Sequence, residues 1–404
     1  MSRVSIKELL DGVEVEWRKL GEILERTKGT KITATQMKKI HKENAPLKIF
    51  AGGKTIAFVN FNDIPNKDIN REPSIIVKSR GNIEFEYYDK PFSHKNEMWS
   101  YHSKNKNIDI KFVYYFLKIH EPYFQNLASR MQMPQISTPD TDKFQIPIPP
   151  LHIQREIVRV LDNFTELTAE LTAELSARKK QYSYYREKLL HFEDADVEWK
   201  QLGEVGELVR GSGLPKKDFT ETGVPAIHYG QIYTYYGVYT EKTKSFVSLE
   251  TAKKLKKVDS GDVIITNTSE NLEDVGKAVV YLGKEQAVTG GHATIFKPSE
   301  KILGKYFAYF TQTDMFSKAK KKYAKGTKVI DVSATDMSKI NISIPPIEKQ
   351  KEIVAILDKF DTLTHSLSEG LPREIELRQK QYEYYRNLLL DFPKKKPYET
   401  YQDN

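Results

Sequence analysis

The residues that could do chemistry in this chain are few, and their spacing argues against catalysis. There are no cysteines among the 404 residues, which excludes disulfides, thiol nucleophiles and zinc-cysteine sites. The nine histidines form no H-x-x-x-H pair, so no metal site is expected. Gly53-Lys54-Thr55 imitates the end of a phosphate-binding loop, but Lys48 stands where the first glycine is required. The two Pro-Pro pairs, Ile148-Pro149-Pro150-Leu151 and Ile344-Pro345-Pro346-Ile347, lack the aromatic residue of an adenine-methylating motif. They read as rigid approaches to helices. Pro139-Asp140 with Glu198-Trp199-Lys200 superficially resembles a nuclease site, but Glu198-Trp199-Lys200 matches Glu16-Trp17-Arg18 and so belongs to a repeat. His292, after Gly290 and Gly291, reads as a loop or packing histidine.

The remaining chemistry is recognition. The net charge is +8, which favours a polyanionic partner, nucleic acid ahead of an anionic membrane surface. Phosphate contact needs basic side chains, and base edges need amides and hydroxyls. Loops that combine them supply the candidate DNA contacts. In the first half these are Lys28, Lys31, Arg80, Asn82, Arg130, Gln132 and Gln135. In the second they are Arg210, Ser212, Lys216, Tyr229, Gln231, Thr266, Asn267, Lys325 and Lys328. The loops at 129–135 and 325–331 occupy aligned positions and rank first.

Positioning falls to an internal repeat. Trp17 aligns with Trp199 at an offset of 182, Pro149 with Pro345 at 196, and Tyr182 with Tyr382 at 200, so insertions separate the anchors. Two variable blocks lie between them. Strands are expected at 48–50, 55–59, 74–77 and 83–88 in the first, and at 226–229, 262–266, 277–282 and 293–297 in the second. Each block then carries one aromatic helix, over 109–120 and 303–316. The blocks therefore read as one α+β fold used twice.

Leu161, Phe164, Thr168, Leu171, Leu175, Arg178, Tyr182, Tyr185 and Leu189 alternate by three and four, a coiled-coil seam. The second copy supplies Leu357, Phe360, Leu367 and Leu371, with Tyr382 and Tyr385 further on. Gly370 and Pro372 are expected to break or kink it. Thr168-Ala169-Glu170-Leu171 is followed at once by Thr172-Ala173-Glu174-Leu175, each copy worth about one turn, roughly 6 Å. The N-terminal stretch resembles the end of a long helix, so the repeat looks circular. The expected boundaries are 1–13 for the segment completing the repeat, 14–148 and 196–344 for the blocks, and 149–195 and 345–404 for the long helices with linker and tail. No signal-peptide core or membrane-length apolar run is present, and a cytoplasmic location is expected.

Variable block, helix, variable block, helix resembles the specificity subunit of type I restriction-modification enzymes. The resemblance is carried by Ile148-Pro149-Pro150 with Gln154 and Leu161-Asp162-Asn163-Phe164, and by Ile344-Pro345-Pro346 with Gln350 and Leu357-Asp358-Lys359-Phe360. It continues in 178–182 and 370–386, and the tandem tetrapeptide is similar to the type IC subfamily. The resemblance implies two globular target-recognition domains separated by long antiparallel coiled-coil helices with pseudo-twofold symmetry. Each domain would read half of a bipartite, asymmetric double-stranded DNA site. Two methyltransferase subunits would bring S-adenosylmethionine, and two restriction motor subunits ATP with Mg. This chain would then be a non-catalytic reader and scaffold with no cofactor of its own and no membrane partner. A free-standing regulatory or structural DNA-binding protein of the same fold is the alternative.

Overall fold

The computed structural model describes residues 10–128, 134–193 and 197–393. The chain forms two compact units: residues up to Ala169 together with those from Leu377, and Glu170–Glu376.

In the first unit, β1 (Glu16–Lys19) leads through α1 (Leu20–Ile23) to β2 (Glu25–Thr27) and α2 (Ala34–Ile40). Six strands follow: β3 (Leu47–Phe50), β4 (Ile56–Val59), β5 (Ser74–Lys78), β6 (Glu84–Tyr88), β7 (Phe92–His94) and β8 (Trp99–His102). They make a four-stranded sheet in the order β2-β8-β5-β6 and a three-stranded sheet β4-β3-β7. Side chains alternate across a strand, and β5 uses both faces. Ile75 and Val77 enter the core around the aromatic helix, while Ile76 packs with Phe50, Phe92 and Met98. That helix, α3 (Ile110–Ile119), starts where the Asp109 carboxylate accepts from the backbone N–H of Lys111 and Phe112. It buries Phe112, Val113, Phe116 and Leu117, the three-and-four spacing of one helix face. After α4 (Glu121–Ala128) and α5 (Thr138–Asp142), β9 (Gln145–Ile148) pairs antiparallel with β1. Pro149 and Pro150 end that strand, and α6 (Leu151–Leu190) begins.

The 40 residues of α6 span about 60 Å. The second unit takes over within it, between Ala169 and Glu170 of the tandem tetrapeptide. The second unit repeats the plan with larger sheets. Its strands are β10 (Glu198–Gln201), β11 (Gly206–Arg210), β12 (Phe219–Thr220), β13 (Val224–Ile227), β14 (Tyr239–Thr240), β15 (Ser245–Val247) and β16 (Lys256–Val258). They continue as β17 (Val263–Thr266), β18 (Thr268–Ser269), β19 (Ala278–Tyr281), β20 (Ala287–Thr289), β21 (Ala293–Pro298), β22 (Ile330–Asp331) and β23 (Asn341–Ile344). Two five-stranded sheets result, β11-β21-β17-β19-β14 and β12-β15-β13-β20-β16. β10 pairs with β23 as β1 does with β9. The alternation of β5 recurs in β17, with Val263 and Ile265 in one core and Ile264 in the other.

The expected strands coincide with β3 to β6 and with β13, β17, β19 and β21, except that Tyr229 opens the short helix α7 (Tyr229–Thr234); α8 (Leu249–Lys254) follows. The second aromatic helix is not continuous over 303–316. It divides into α9 (Gly304–Phe310) and α10 (Asp314–Lys321), because the Thr311 and Thr313 hydroxyls bond the carbonyls of Ala308 and Phe310 and Thr313 caps the new helix. After α11 (Ala334–Met337) the chain reaches β23 and then α12 (Ile347–His365) and α13 (Gly370–Leu389). Residues 366–369 divide these two. Gly370, at φ +76°, is in the left-handed region and backs onto the Thr362 and Leu363 carbonyls, where no side chain fits.

The heptad residues lie on the covered face of α6. In the first unit Leu161 and Leu389 are fully buried and Phe164 stacks on Tyr385 at 5.4 Å. Tyr382 packs against the same core. In the second, Tyr182 and Tyr185 stack on Phe360 at 6.0 and 5.6 Å, and Tyr182 also meets His365, so α6 and α12 run antiparallel there. Leu357 and Leu371 are buried, and Leu171, Leu175 and Leu189 half-buried. Leu367 is the exception: at 79% exposure it is no seam residue, because the helix has already ended at His365.

Candidate nucleic-acid interface

Each unit gathers four loops at the ends of its strands. In the first, the turn after β2 is tied to the end of β7. The Thr30 N–H donates to the His94 carbonyl at 2.7 Å, and Thr30 bridges Lys95 in parallel. Gly29 lies against that carbonyl, so closely that a Cβ would collide. The loop after β5 joins next: the Ser79 hydroxyl donates to the Glu97 carbonyl at 2.7 Å. The stretch before α5 closes the set. The Ile136 N–H donates to the Ser79 carbonyl at 3.0 Å, the Gly81 N–H to the Pro134 carbonyl at 2.9 Å, and Arg80 bridges Gln135. Lys28, Lys31, Arg80 and Asn82 are all exposed, and Gln135 is partly so. Asn82 spends its amide on Glu84. Arg130 and Gln132 lie outside the described residues.

The second unit builds the same junction. Ser212 bridges Gly290 in parallel, as Thr30 does Lys95, and 30 to 212 is the offset of 182 that relates the tryptophans. The Val332 N–H donates to the Asn267 carbonyl at 2.9 Å, as Ile136 does to Ser79. The Asn267 N–H in turn donates to the His292 carbonyl at 2.9 Å. β18 and β22 pair here, placing Thr268 opposite Asp331. Arg210 is exposed, with one guanidinium nitrogen 3.9 Å from Asp331 and its Nε directed at the Gly291 carbonyl. Lys216 and Lys328 are exposed, and Ser212 and Tyr229 are partly covered.

Not every candidate side chain reaches the surface. Thr266 and Asn267 are fully buried. The Thr266 hydroxyl donates to the carbonyls of Asp274 and Lys277, and the Asn267 carbonyl oxygen accepts from the Thr294 hydroxyl. These two hold the loop from inside. Gln231 is likewise committed, donating to Ser245 and accepting from the His228 N–H and Tyr236 hydroxyl. Lys325 is exposed yet bonded to Asp336 at 3.0 Å, and with Lys339 and Ser333 it holds that carboxyl down to about 2.

The fourth loop, after β7 and β20, was passed over in the first unit, and in the second its His292 was read only as a loop or packing histidine. It contributes Lys95 and Glu97 in the first unit. In the second it contributes His292, whose ring lies 4.8 Å from Tyr229 and whose Nδ1 meets the Thr268 hydroxyl at 3.0 Å. His292 is exposed. The available signal was glycine: Gly29 and Gly211 each mark a close backbone crossing over this loop.

The chain is matched by known proteins. A family model described as the type I restriction modification DNA specificity domain covers residues 12–178 and again 195–377, and the chain belongs to that family. It is 36% identical to the EcoR124I/EcoR124II specificity subunit of Escherichia coli over 98% of both chains. It is 30% identical to a putative type I restriction enzyme specificity subunit of Haemophilus influenzae, over 97% of this chain and 99% of that one. Among solved structures, the S subunit of a type I restriction-modification system from M. genitalium shares the fold. Its TM-score is 0.60 at 17% identity, over 95% of this chain and 98% of that one. No helix among the described residues is long and apolar enough to cross a membrane.

Proposed function

We propose that this specificity subunit binds a bipartite, asymmetric DNA site, with one half-site under the four-loop edge of each unit. The observation that supports this most is the repeated junction carrying different side chains: Lys28, Lys31, Arg80 and Asn82 in one unit, Arg210, Tyr229, His292 and Lys328 in the other. Equal frameworks with unequal contacts suit two half-sites of different sequence, because phosphate contacts set register while base-edge contacts carry the sequence.

The long helices serve as the platform for methyltransferase and restriction motor subunits. Tyr184 and Tyr384, equivalent residues that stay 60% and 64% exposed, fit such an interface. S-adenosylmethionine, ATP and Mg belong to those partners, and the chain itself acts by recognition and assembly. The deciding experiment is a methylome recorded with the methyltransferase partner present. Exchanging residues 14–148 for a relative's block changes one half-site and preserves the other. If both half-sites survive the exchange, the reading fails. A third Thr-Ala-Glu-Leu after Leu175 lengthens the spacer between unchanged half-sites, and an unaltered spacer removes the ruler role of that tract.

A further inference from the structure

Two polar fastenings recur in both units. The first is a fully buried glutamine in the opening turn of a long helix. Gln154 accepts from the Asp109 N–H at 2.8 Å and donates to the carbonyls of Asn107 and Pro149 at 3.0 and 2.7 Å. Gln350 accepts from the Leu303 N–H at 2.9 Å and donates to the carbonyls of Lys301 and Pro345 at 2.9 and 2.8 Å. The second lies eight residues, about two turns, further along each helix. Asp162 takes the Lys111 ammonium at 2.8 Å on one carboxylate oxygen and the Tyr115 hydroxyl at 2.6 Å on the other. Asp358 takes Lys305 at 2.8 Å and Tyr309 at 2.7 Å in the same way. Each lysine also lies over a ring of its own domain's sheet, Lys111 over Tyr87 at 5.2 Å and Lys305 over Tyr239 at 3.6 Å.

A ring on an edge strand, a lysine and tyrosine on the aromatic helix, and an aspartate on the long helix are thus joined in one chain of contacts. The side chains of both pairs are at most about one-third exposed, from 21% for Lys305 to 33% for Asp162. Water competes less for such pairs than for surface ones, and each carboxylate is bound at both oxygens. The glutamine fixes the base of the helix against the domain. The aspartate fixes a second point two turns away, and two points determine a direction.

We infer that Asp162 and Asp358, through the Lys111–Tyr115 and Lys305–Tyr309 pairs, are positioning residues that hold each reading domain at a fixed angle on its helix and so confine the complex to one spacer length. This rests on the bipartite reading above. Loosening a lock lets the domain swing about its glutamine pivot, which widens the accepted spacers without altering the bases read in either half-site.

The test uses the full chain with its methyltransferase partner and a series of duplexes whose spacers differ by one base pair. The readout is the ratio of methylation rates on the preferred spacer to its neighbours. In Asp162→Asn and Asp358→Asn this ratio falls about tenfold, the loss of one hydrogen-bonded charge pair, while the methylated half-site sequences stay those of the unaltered chain. Reversing the pair as Lys111→Asp with Asp162→Lys restores part of the ratio, which general loss of stability does not do. If either aspartate variant fails to accumulate folded, Tyr115→Phe and Tyr309→Phe decide, since they remove only a hydroxyl; a ratio unchanged in both overturns the inference. An unaltered chain that shows no bipartite site overturns the functional reading instead. An unaltered chain with one strict spacer, matched by variants equally strict, overturns only the positioning role.

Discussion

The two units are most alike where each grips its long helix and least alike in their sheets and in the side chains their loops carry. Gln154 and Gln350 make the same three bonds, and Asp162 and Asp358 the same two. The sheets differ, with four and three strands in one unit and five and five in the other. The difference has a physical basis. The glutamines bond only backbone groups, which persist whatever side chains surround them, so the grip survives divergence of the domain it holds. A loop proposed to read sequence has no such protection, since its contacts reside in the side chains themselves.

The largest expected effect tests the grip. Gln350→Leu, at a fully buried position, takes the partner from one N–H and two carbonyls, costing the second unit about 3 kcal/mol. Gln154→Leu costs the first unit a similar amount. Denaturation followed by hydrogen exchange in each unit measures both. Equal losses sharpen the equivalence; a silent substitution in one unit breaks it.

A smaller effect tests the difference at the loops. His292 pairs with Tyr229 in the second unit, whereas the corresponding loop of the first carries Lys95 and Glu97. Tyr229→Ala or His292→Ala weakens specific binding by about 1.5 kcal/mol and relaxes discrimination in one half-site only. Competition binding against duplexes altered in either half-site checks this. Loss spread equally over both half-sites would contradict separate readers.

Acid should also weaken the first unit, as burial likewise lowers His228 in the second. Burial, ahead of the opposing pull of the Lys95 carbonyl, Asp68 and Glu97, holds His94 below the usual histidine range. The unfolded chain, at about 6.5, therefore takes up the proton first. His94 costs nothing above that pH, and stability is lost as pH falls from about 6.5 towards the depressed folded value, by at most about 1.4 kcal/mol per pH unit. Urea unfolding of the full chain at pH 7 and 5.5 detects the slope, and His94→Gln flattens it. A slope that persists in the variant assigns the acid sensitivity elsewhere.

Much of this framework was legible in the sequence because its anchors are incompressible. Trp17 and Trp199, the Pro-Pro pairs and the heptad mark strand, turn and helix with little dependence on neighbours. The central strands were legible because β5 and β17 are apolar on both faces. The reading edge was less so. Thr266 and Asn267 carry groups suited to a DNA contact, yet both are buried, with the Thr266 hydroxyl given to two backbone carbonyls and the Asn267 side-chain oxygen to the Thr294 hydroxyl. Leu367 fits the heptad by number, but the register lapses once the helix ends at His365. The grip itself was quoted in the sequence as Gln154, Gln350, Asp162 and Asp358, without a partner for any of them. Their partners lie about 50 residues upstream, and only the fold brings them together.

The smallest effect is the most diagnostic of what a loop charge does. Lys28 and Lys328 are both exposed, one in a loop of each unit. A lysine touching phosphate contributes to every sequence alike, so Lys328→Ala weakens binding by about 0.5–1 kcal/mol and lowers the salt slope by about one. Its ranking of altered half-sites stays as it was. Lys28→Ala should behave in the same way in the first unit. The pair then separates electrostatic from base-specific contact within each edge, because Tyr229→Ala changes the ranking and leaves the slope intact. If Lys328→Ala instead alters the preferred bases in one half-site, the loop at 325–331 reads sequence directly, and the two units differ in which loop carries specificity as well as in which side chains do.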